Sequence, residues 1–364
     1  MRLFLIAGAR PNFMKIAPIV RALRSHTDGI IDWELVHTGQ HYDHKMSATF
    51  FQDLDIPEPD YFLDAGSGSH AQQTAKIMIR FEEICVKQRP DLIVVVGDVN
   101  STLACSIVAK KIGIKVAHVE AGLRSFDRTM PEEINRIVTD AISDYLFTTE
   151  KTANDNLIKE GVPKENIHFV GHVMVDNLLY QKDRLQNIDP AEFSTYRYKQ
   201  EYTRYIFLTL HRPAVVDNKE SLSDIVESIN RISQETPIIF PVHPRTKKML
   251  NSFGLKLSNK ILELPPLNFK ESLFWWKDAI FVMTDSGGLQ EETTALGIPC
   301  FTLRDNTERP ITVTEGTNTI VGTKGIALWN AYRDFMTENI KKGHVPELWD
   351  GRSAERIVNI LSHI

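Results

Sequence analysis

The chain has 364 residues, 42% of them hydrophobic and 24% charged, a length that suits two domains with separate cores and a composition that excludes fibres and disordered chains. Its formal net charge of −5 argues against a nucleic-acid partner and leaves local basic pockets as the place for any anionic ligand. Cys85, Cys105 and Cys300 form no Cys-x-x-Cys pair and read as reduced packing residues of a cytoplasmic protein, while no signal peptide and no apolar run near the ~20 residues that span a bilayer points to a membrane partner.

In chain order, short apolar runs alternate with helical periods. Strands are expected over residues 3–7, 33–37, 92–96, 116–119, 145–148 and 168–170, separated by helices over 13–24, 45–54, 70–89, 101–112, 132–142 and 153–160. Near-continuous apolar strands imply a parallel sheet covered on both faces. Ligands of such sheets sit beyond the carboxyl ends of the strands. Polar residues recur at those ends: Arg10, Asn12 and Lys15 after the first strand, His37, Gln40, His41 and Asp43 after the second, then Gly97-Asp98, then Glu120, Arg124, Glu132 and Arg136. Residues 1–180 therefore read as one doubly wound domain with its site at one end of the sheet.

Residues 181–204 are polar and lack a strand signal, as a linker region would. The alternation then restarts, with strands over 205–210, 237–242, 261–264, 280–283 and 300–303 and helices over 221–233, 246–253, 270–277 and 289–296. Residues 205–351 form the expected second domain, and a last helix over about 352–364 is expected to pack back on the first. Two such domains with their functional edges facing each other would enclose a central cleft.

The stretch from Thr284 to Glu292 carries Asp-Ser-Gly-Gly between a strand and a helix. A helix N-terminus offers free backbone N–H groups and a positive dipole end, and two glycines let an anion approach the backbone closely. Ser286 and Gly287 are thus candidate phosphate or diphosphate contacts, with His211 nearby and Arg309 able to fork onto phosphate oxygens. Glu292, a turn further on, suits the hydroxyls of a ribose. In the first domain, Asp98, Glu120 and Glu132 lie on three loops, and carboxylates brought together suit proton transfer near neutral pH. Arg10, Lys15 and Arg136 would steady charge on a leaving group. His118, inside a strand, reads as a hydrogen-bonded core histidine. The chain has no P-loop, no His-Glu-x-x-His and no Gly-x-Ser-x-Gly elbow, and Gly66-Ser67-Gly68 is no dinucleotide fingerprint.

Gly8-Ala9-Arg10-Pro11, Thr38-Gly39-Gln40-His41, Gly97-Asp98, the run His118 to Arg124, Pro131 to Arg136, His211-Arg212, Val242-His243-Pro244, Thr284 to Gly288 and Glu308-Arg309-Pro310 follow one another along the whole chain. Together they resemble the non-hydrolysing UDP-N-acetylglucosamine 2-epimerases. The resemblance implies a GT-B-type fold, two Rossmann-like domains with the site in the cleft, a UDP-sugar as the substrate partner, a homodimer, and no redox cofactor or metal. It further implies elimination of UDP to a 2-acetamidoglucal and re-addition with C2 inverted. By motif position, Asp98, Glu120 and Glu132 would be the acid/base set with His211 close by. Arg10, His243, Ser286, Gly287, Glu292 and Arg309 would hold UDP, and Lys15 and Arg136 would contact sugar or diphosphate.

The chain departs from the family pattern at Ala214-Val215, at Gly171-His172 and at Ser272, where many members carry an aromatic that can stack on uracil. Phe269 or Phe274 would then serve. The stretch Gln40 to Asp43 differs from members that bind a second UDP-N-acetylglucosamine as activator. Epimerases of 2,3-diacetamido-uronic acids and 6-deoxy amino sugars share most of these motifs.

Overall fold

The computed structural model describes residues 1–26, 29–39, 51, 54–338 and 342–364, apart from the side chain of Arg10. Most of the helix expected over 45–54, with Gln40, His41 and Asp43, lies outside the described residues. The chain divides into two units, Met1–Asn177 with Glu347–Ile364, and Leu178–Pro346. Two parallel sheets with helices on their faces are the fold class expected from the alternating pattern.

In the first unit β1 (Arg2–Ala7), β2 (Asp32–His37), β3 (Tyr61–Phe62), β4 (Leu92–Val96), β5 (Lys115–Ala121), β6 (Tyr145–Thr148) and β7 (Ile167–Phe169) form a parallel sheet in the order β3-β2-β1-β4-β5-β6-β7. Alternate residues of β1 feed two cores. Leu3, Leu5 and Ala7 pack with Ile16 and Val20 of the helix Arg10–Ser25 and with Ile357 and Leu361 of the last helix, Ser353–Leu361. Phe4 and Ile6 pack on the other face with Ile77 and Phe81 of the helix His70–Gln88. Burial of both faces explains why β4, Leu-Ile-Val-Val-Val, reads as an unbroken apolar run. The last helix is fixed to this unit by the Asp176 carboxylate, which accepts from Ala354 N–H at 2.7 Å.

In the second unit β8 (Ile206–Thr209), β9 (Ile238–Pro241), β10 (Ile261–Leu264), β11 (Val282–Thr284), β12 (Cys300–Thr302) and β13 (Asn318–Ile320) form another parallel sheet, ordered β10-β9-β8-β11-β12-β13. Residues 181–204 contain the end of the helix Val173–Leu185, a 3-10 turn at Pro190–Glu192 and a short helix, Tyr196–Lys199. This stretch is tied to the unit by buried Glu271, which accepts from Ser194 and Thr195 hydroxyls at 2.8 Å each and from Thr195 N–H at 3.0 Å.

Both sheets reverse their winding once, between β1 and β4 and between β8 and β11. At such a switch point the loops leaving the two central strands diverge to opposite faces and open a crevice for ligand. Local sequence sets the helices that follow: Pro131, Pro213, Pro244 and Pro310 occupy first turns, where a missing N–H costs nothing, and Asn268 and His243 accept from the N–H groups of Glu271 and Arg245. Among the described residues no helix is long and apolar enough to cross a membrane.

Candidate active site

The first unit places its candidate residues at the β1/β4 switch point. β1 is followed by Gly8, where a Cβ would lie 2.1 Å from Ser101 Oγ, so the turn can close only on a glycine. Asn12, on the helix that follows, accepts from Ala9 N–H at 3.0 Å and donates to the Val96 carbonyl at 3.0 Å, joining the ends of β1 and β4. Beyond Val96, Gly97 has φ +65°. A Cβ here would come within 2.7 Å of Lys15 Nζ.

Lys15 reaches from its helix to form a partly buried ion pair with Glu120. Glu120 is 4% exposed and has φ +70°, a left-handed conformation that costs a side-chain-bearing residue roughly 1–2 kcal/mol. The pairing of β5 with β6 slips at this point, between Val119 and Ala121. The bulge turns the carboxylate out of the sheet toward Lys15. A strained, buried, charged residue at a strand end is a mark of function.

Asp98 and Arg136 form a second ion pair at 2.7 Å. Arg136 also binds Glu133 at 2.8 Å, and Glu133 accepts from the N–H groups of Ser125 and Phe126 at 2.9 and 3.0 Å. Burial acts to raise the Glu133 carboxyl, but Ser125 and Arg136 outweigh it and hold it below its ordinary value. Glu133 is thus the carboxylate that aims Arg136, a role that sequence did not assign. Glu132 is exposed on the first turn of the helix Pro131–Ile142, outside both ion pairs. Arg10 opens the helix Arg10–Ser25, and its side chain lies outside the description.

The second unit builds its site at the β8/β11 switch point around Asp285, which is fully buried. Asp285 Oδ2 accepts from the N–H groups of His211 and Arg212, both at 2.7 Å, and Oδ1 lies 3.0 Å from His211 Nδ1. One carboxylate after β11 therefore fixes both the backbone and the ring of the residue after β8. Ser286 caps the helix Gly287–Ala295 without using its hydroxyl for the cap, and its N–H is held by Thr284 Oγ1 at 2.9 Å. The hydroxyl is left for a ligand.

His211, His243, Ser286, Gly288 and Glu292 line one cavity of about 310 Å³, closed by Pro266, Leu267, Phe269, Ser272 and Trp276. The His211 and His243 rings stand 5.8 Å apart. Gly288 lines the cavity, and a Cβ added there would have open space. Of the two aromatic candidates, Phe269 faces the cavity, whereas Phe274 stacks on Phe193 at 4.6 Å. Burial, aided by neighbouring Glu291, pushes the Glu292 carboxyl up to about 8, so it carries a proton at neutral pH and can both donate to and accept from a diol. Arg309 pairs with Glu291 at 2.6 Å. Arg212 lies near Gly287, its Nη2 3.8 Å from where a Cβ would stand. Arg212 and Asp285 were legible only as parts of motifs.

A cavity with an apolar end, two imidazoles, a hydroxyl and a helix N-terminus fits a nucleoside diphosphate. The first unit offers two carboxylates, each with its own cation, which fits proton transfer beside developing negative charge.

Comparison with known proteins places this architecture. A family model described as UDP-N-acetylglucosamine 2-epimerase matches residues 22–362. A Methanocaldococcus jannaschii protein named UDP-N-acetylglucosamine 2-epimerase is 45% identical, covering 100% of this chain and 99% of the relative. A Pseudomonas aeruginosa protein named UDP-2,3-diacetamido-2,3-dideoxy-D-glucuronate 2-epimerase is 37% identical over 100% of both chains. The crystal structure of the M. jannaschii UDP-GlcNAc 2-epimerase in complex with UDP-GlcNAc and UDP matches with a TM-score of 0.83 at 44% identity, covering 100% of each chain.

Proposed function

This chain belongs to the UDP-N-acetylglucosamine 2-epimerase family, and on that premise we propose that it interconverts UDP-N-acetylglucosamine and UDP-N-acetylmannosamine. It is an isomerase of GT-B-type fold. The observation that carries the reading is the 310 Å³ cavity that gathers His211, His243, Ser286 and Glu292 at the β8/β11 switch point.

In this reading the uracil lies against Phe269, Leu267 and Pro266, the ribose hydroxyls meet Glu292, and the diphosphate rests on Ser286 and the first N–H groups of the helix. Gly287 lets the phosphate approach, and Arg309 and Arg10 add charge. The reaction removes the C2 proton and breaks the C1–O bond, whose electrons leave with UDP, giving a 2-acetamidoglucal. Re-addition returns the UDP oxygen to C1 and a proton to the opposite face of C2. Oxidation state is unchanged overall, so no redox cofactor is required. Asp98, Glu120 and Glu132 are the proton-transfer set, with His211 beside the leaving group. Lys15 and Arg136 offset charge that gathers on sugar and diphosphate. UDP must stay bound while detached, which is the task of the Ser286 cradle.

The same reading assigns a cytoplasmic setting, a homodimer and supply of a sugar for surface polysaccharide. The three cysteines are free and buried, which supports a reducing compartment. The relative that acts on a diacetamido-glucuronate motivates the substrate test. The enzyme is offered UDP-N-acetylglucosamine and UDP-2,3-diacetamido-glucuronate in parallel and the products are followed by NMR. Conversion of the first to a two-epimer mixture is expected. Turnover of the second alone would keep the reaction and move the substrate.

A further inference from the structure

Beneath the Asp98 loop lies a cluster that the proposed chemistry does not use. His118, on β5, is fully buried. Its Nε2 lies 2.8 Å from the Gly97 carbonyl and its Nδ1 lies 2.6 Å from Asp140 Oδ1. Asp140 Oδ2 lies 2.7 Å from Arg124 Nη1 and accepts from Gly122 N–H at 3.0 Å. Arg124 in turn donates through Nε and Nη2 to Glu160 at 2.8 and 2.6 Å.

Hydrogen-bond valence fixes the tautomer at one nitrogen. A backbone carbonyl only accepts, so Nε2 must carry a proton. Asp140 holds the other nitrogen at 2.6 Å and is itself held by Arg124 and the Gly122 N–H, so the ring cannot turn without breaking contacts on both sides. We propose that His118, through the Gly97 carbonyl, is a positioning residue for Asp98. Burial acts to raise the Asp140 carboxyl, but His118, Arg124 and the Gly122 N–H outweigh it and hold it below its ordinary value.

The consequence falls on one peptide plane. Gly97 N–H donates to the Val119 carbonyl at 3.0 Å, so β5 grips Gly97 at both its N–H and its C=O. In a trans peptide the C=O and the following N–H point opposite ways. Holding the Gly97 carbonyl on the His118 Nε2–H therefore turns the Asp98 N–H away from the cluster. Asn135 donates to the Asp98 carbonyl at 2.8 Å and Arg136 donates to its carboxylate at 2.7 Å. The catalytic candidate Asp98 is thus fixed by its preceding peptide, its own carbonyl and its side chain.

The positioning role rests on the epimerase reading; the hydrogen bond it starts from does not. In protein labelled with ¹⁵N-histidine, with His118→Gln used for assignment, His118 Nε2 is expected at the protonated frequency. Nε2 at the unprotonated frequency would overturn the bond to the Gly97 carbonyl, whatever the activity. His118→Leu removes the donor and is expected to lower kcat about 10- to 100-fold with KM little changed, and His118→Gln, which keeps an N–H donor, is expected to recover part of that loss. Equal kcat in a folded His118→Leu enzyme, or loss in KM alone, would overturn the positioning role. An enzyme inert toward every UDP-sugar, yet with Nε2 protonated, would sink the epimerase reading and the role that depends on it while the hydrogen bond stands.

Discussion

Lys15 and Glu120 form an ion pair beside Gly97, and each constrains the other: the lysine offsets the charge of a buried glutamate that the β5 bulge holds at φ +70°. Glu120→Gln keeps the shape and removes the proton-transfer group. It is expected to fold and to exchange the C2 proton roughly 10²- to 10⁴-fold more slowly. Lys15→Met leaves a buried carboxylate unpaired and is expected to cost about 3 kcal/mol, measured by denaturant unfolding. A Glu120→Gln enzyme at full rate would remove Glu120 from the proton-transfer set.

Gly288 separates stability from binding. A Cβ there meets nothing, and alanine favours a helix over glycine by roughly 0.5–1 kcal/mol. Gly288→Ala should therefore have an equal or higher Tm. Because the methyl group enters the cavity, UDP binding by calorimetry should weaken at least about 10-fold, the ratio that ~1.4 kcal/mol represents. Unchanged UDP affinity would move the diphosphate away from this helix N-terminus.

Asp285 satisfies two backbone N–H groups in a fully buried position. Asp285→Ala orphans both, and each orphaned donor costs about 1–3 kcal/mol. A loss of more than about 2 kcal/mol is expected, together with weaker UDP binding because His211 is released. Wild-type stability in this variant would contradict the role given to the carboxylate.

Glu292 sets a pH dependence of stability. Its ordinary value of 4.5 describes the unfolded chain, and burial with Glu291 pushes the folded group up to about 8. Between these values the folded chain holds a proton that the unfolded chain has lost, so this group's contribution to stability falls as pH rises from 4.5 to about 8 and is level above that. Glu292→Gln cannot titrate. The difference in Tm between variant and wild type should therefore grow in the variant's favour from pH 5 to 8; a constant difference would mean that Glu292 is ionised throughout.

The two sheets were legible because both faces of each are covered, which writes apolar runs such as Leu-Ile-Val-Val-Val into the chain. β3 is two residues long and β13 three, too short for a period to show, and both are edge strands. His211, His243 and Ser286 could be named as candidates because polar residues recur where strands stop, and Glu292 because it lies one helical turn past Ser286-Gly287. Asp285 and Glu133 could not be given their roles, because a carboxylate that binds backbone N–H groups looks in sequence like any other acidic residue. Sequence also placed Glu120 at a strand end but not its left-handed backbone, which depends on the register slip between β5 and β6.

The central claim is that UDP leaves and returns while C2 exchanges its proton with solvent. Incubation with UDP-N-acetylglucosamine in D₂O, followed by NMR, tests it most directly. The expected result is a mixture of both epimers as intact UDP-sugars, each carrying deuterium at C2. Free N-acetylmannosamine with UDP, or epimers that keep their C2 proton, would contradict it.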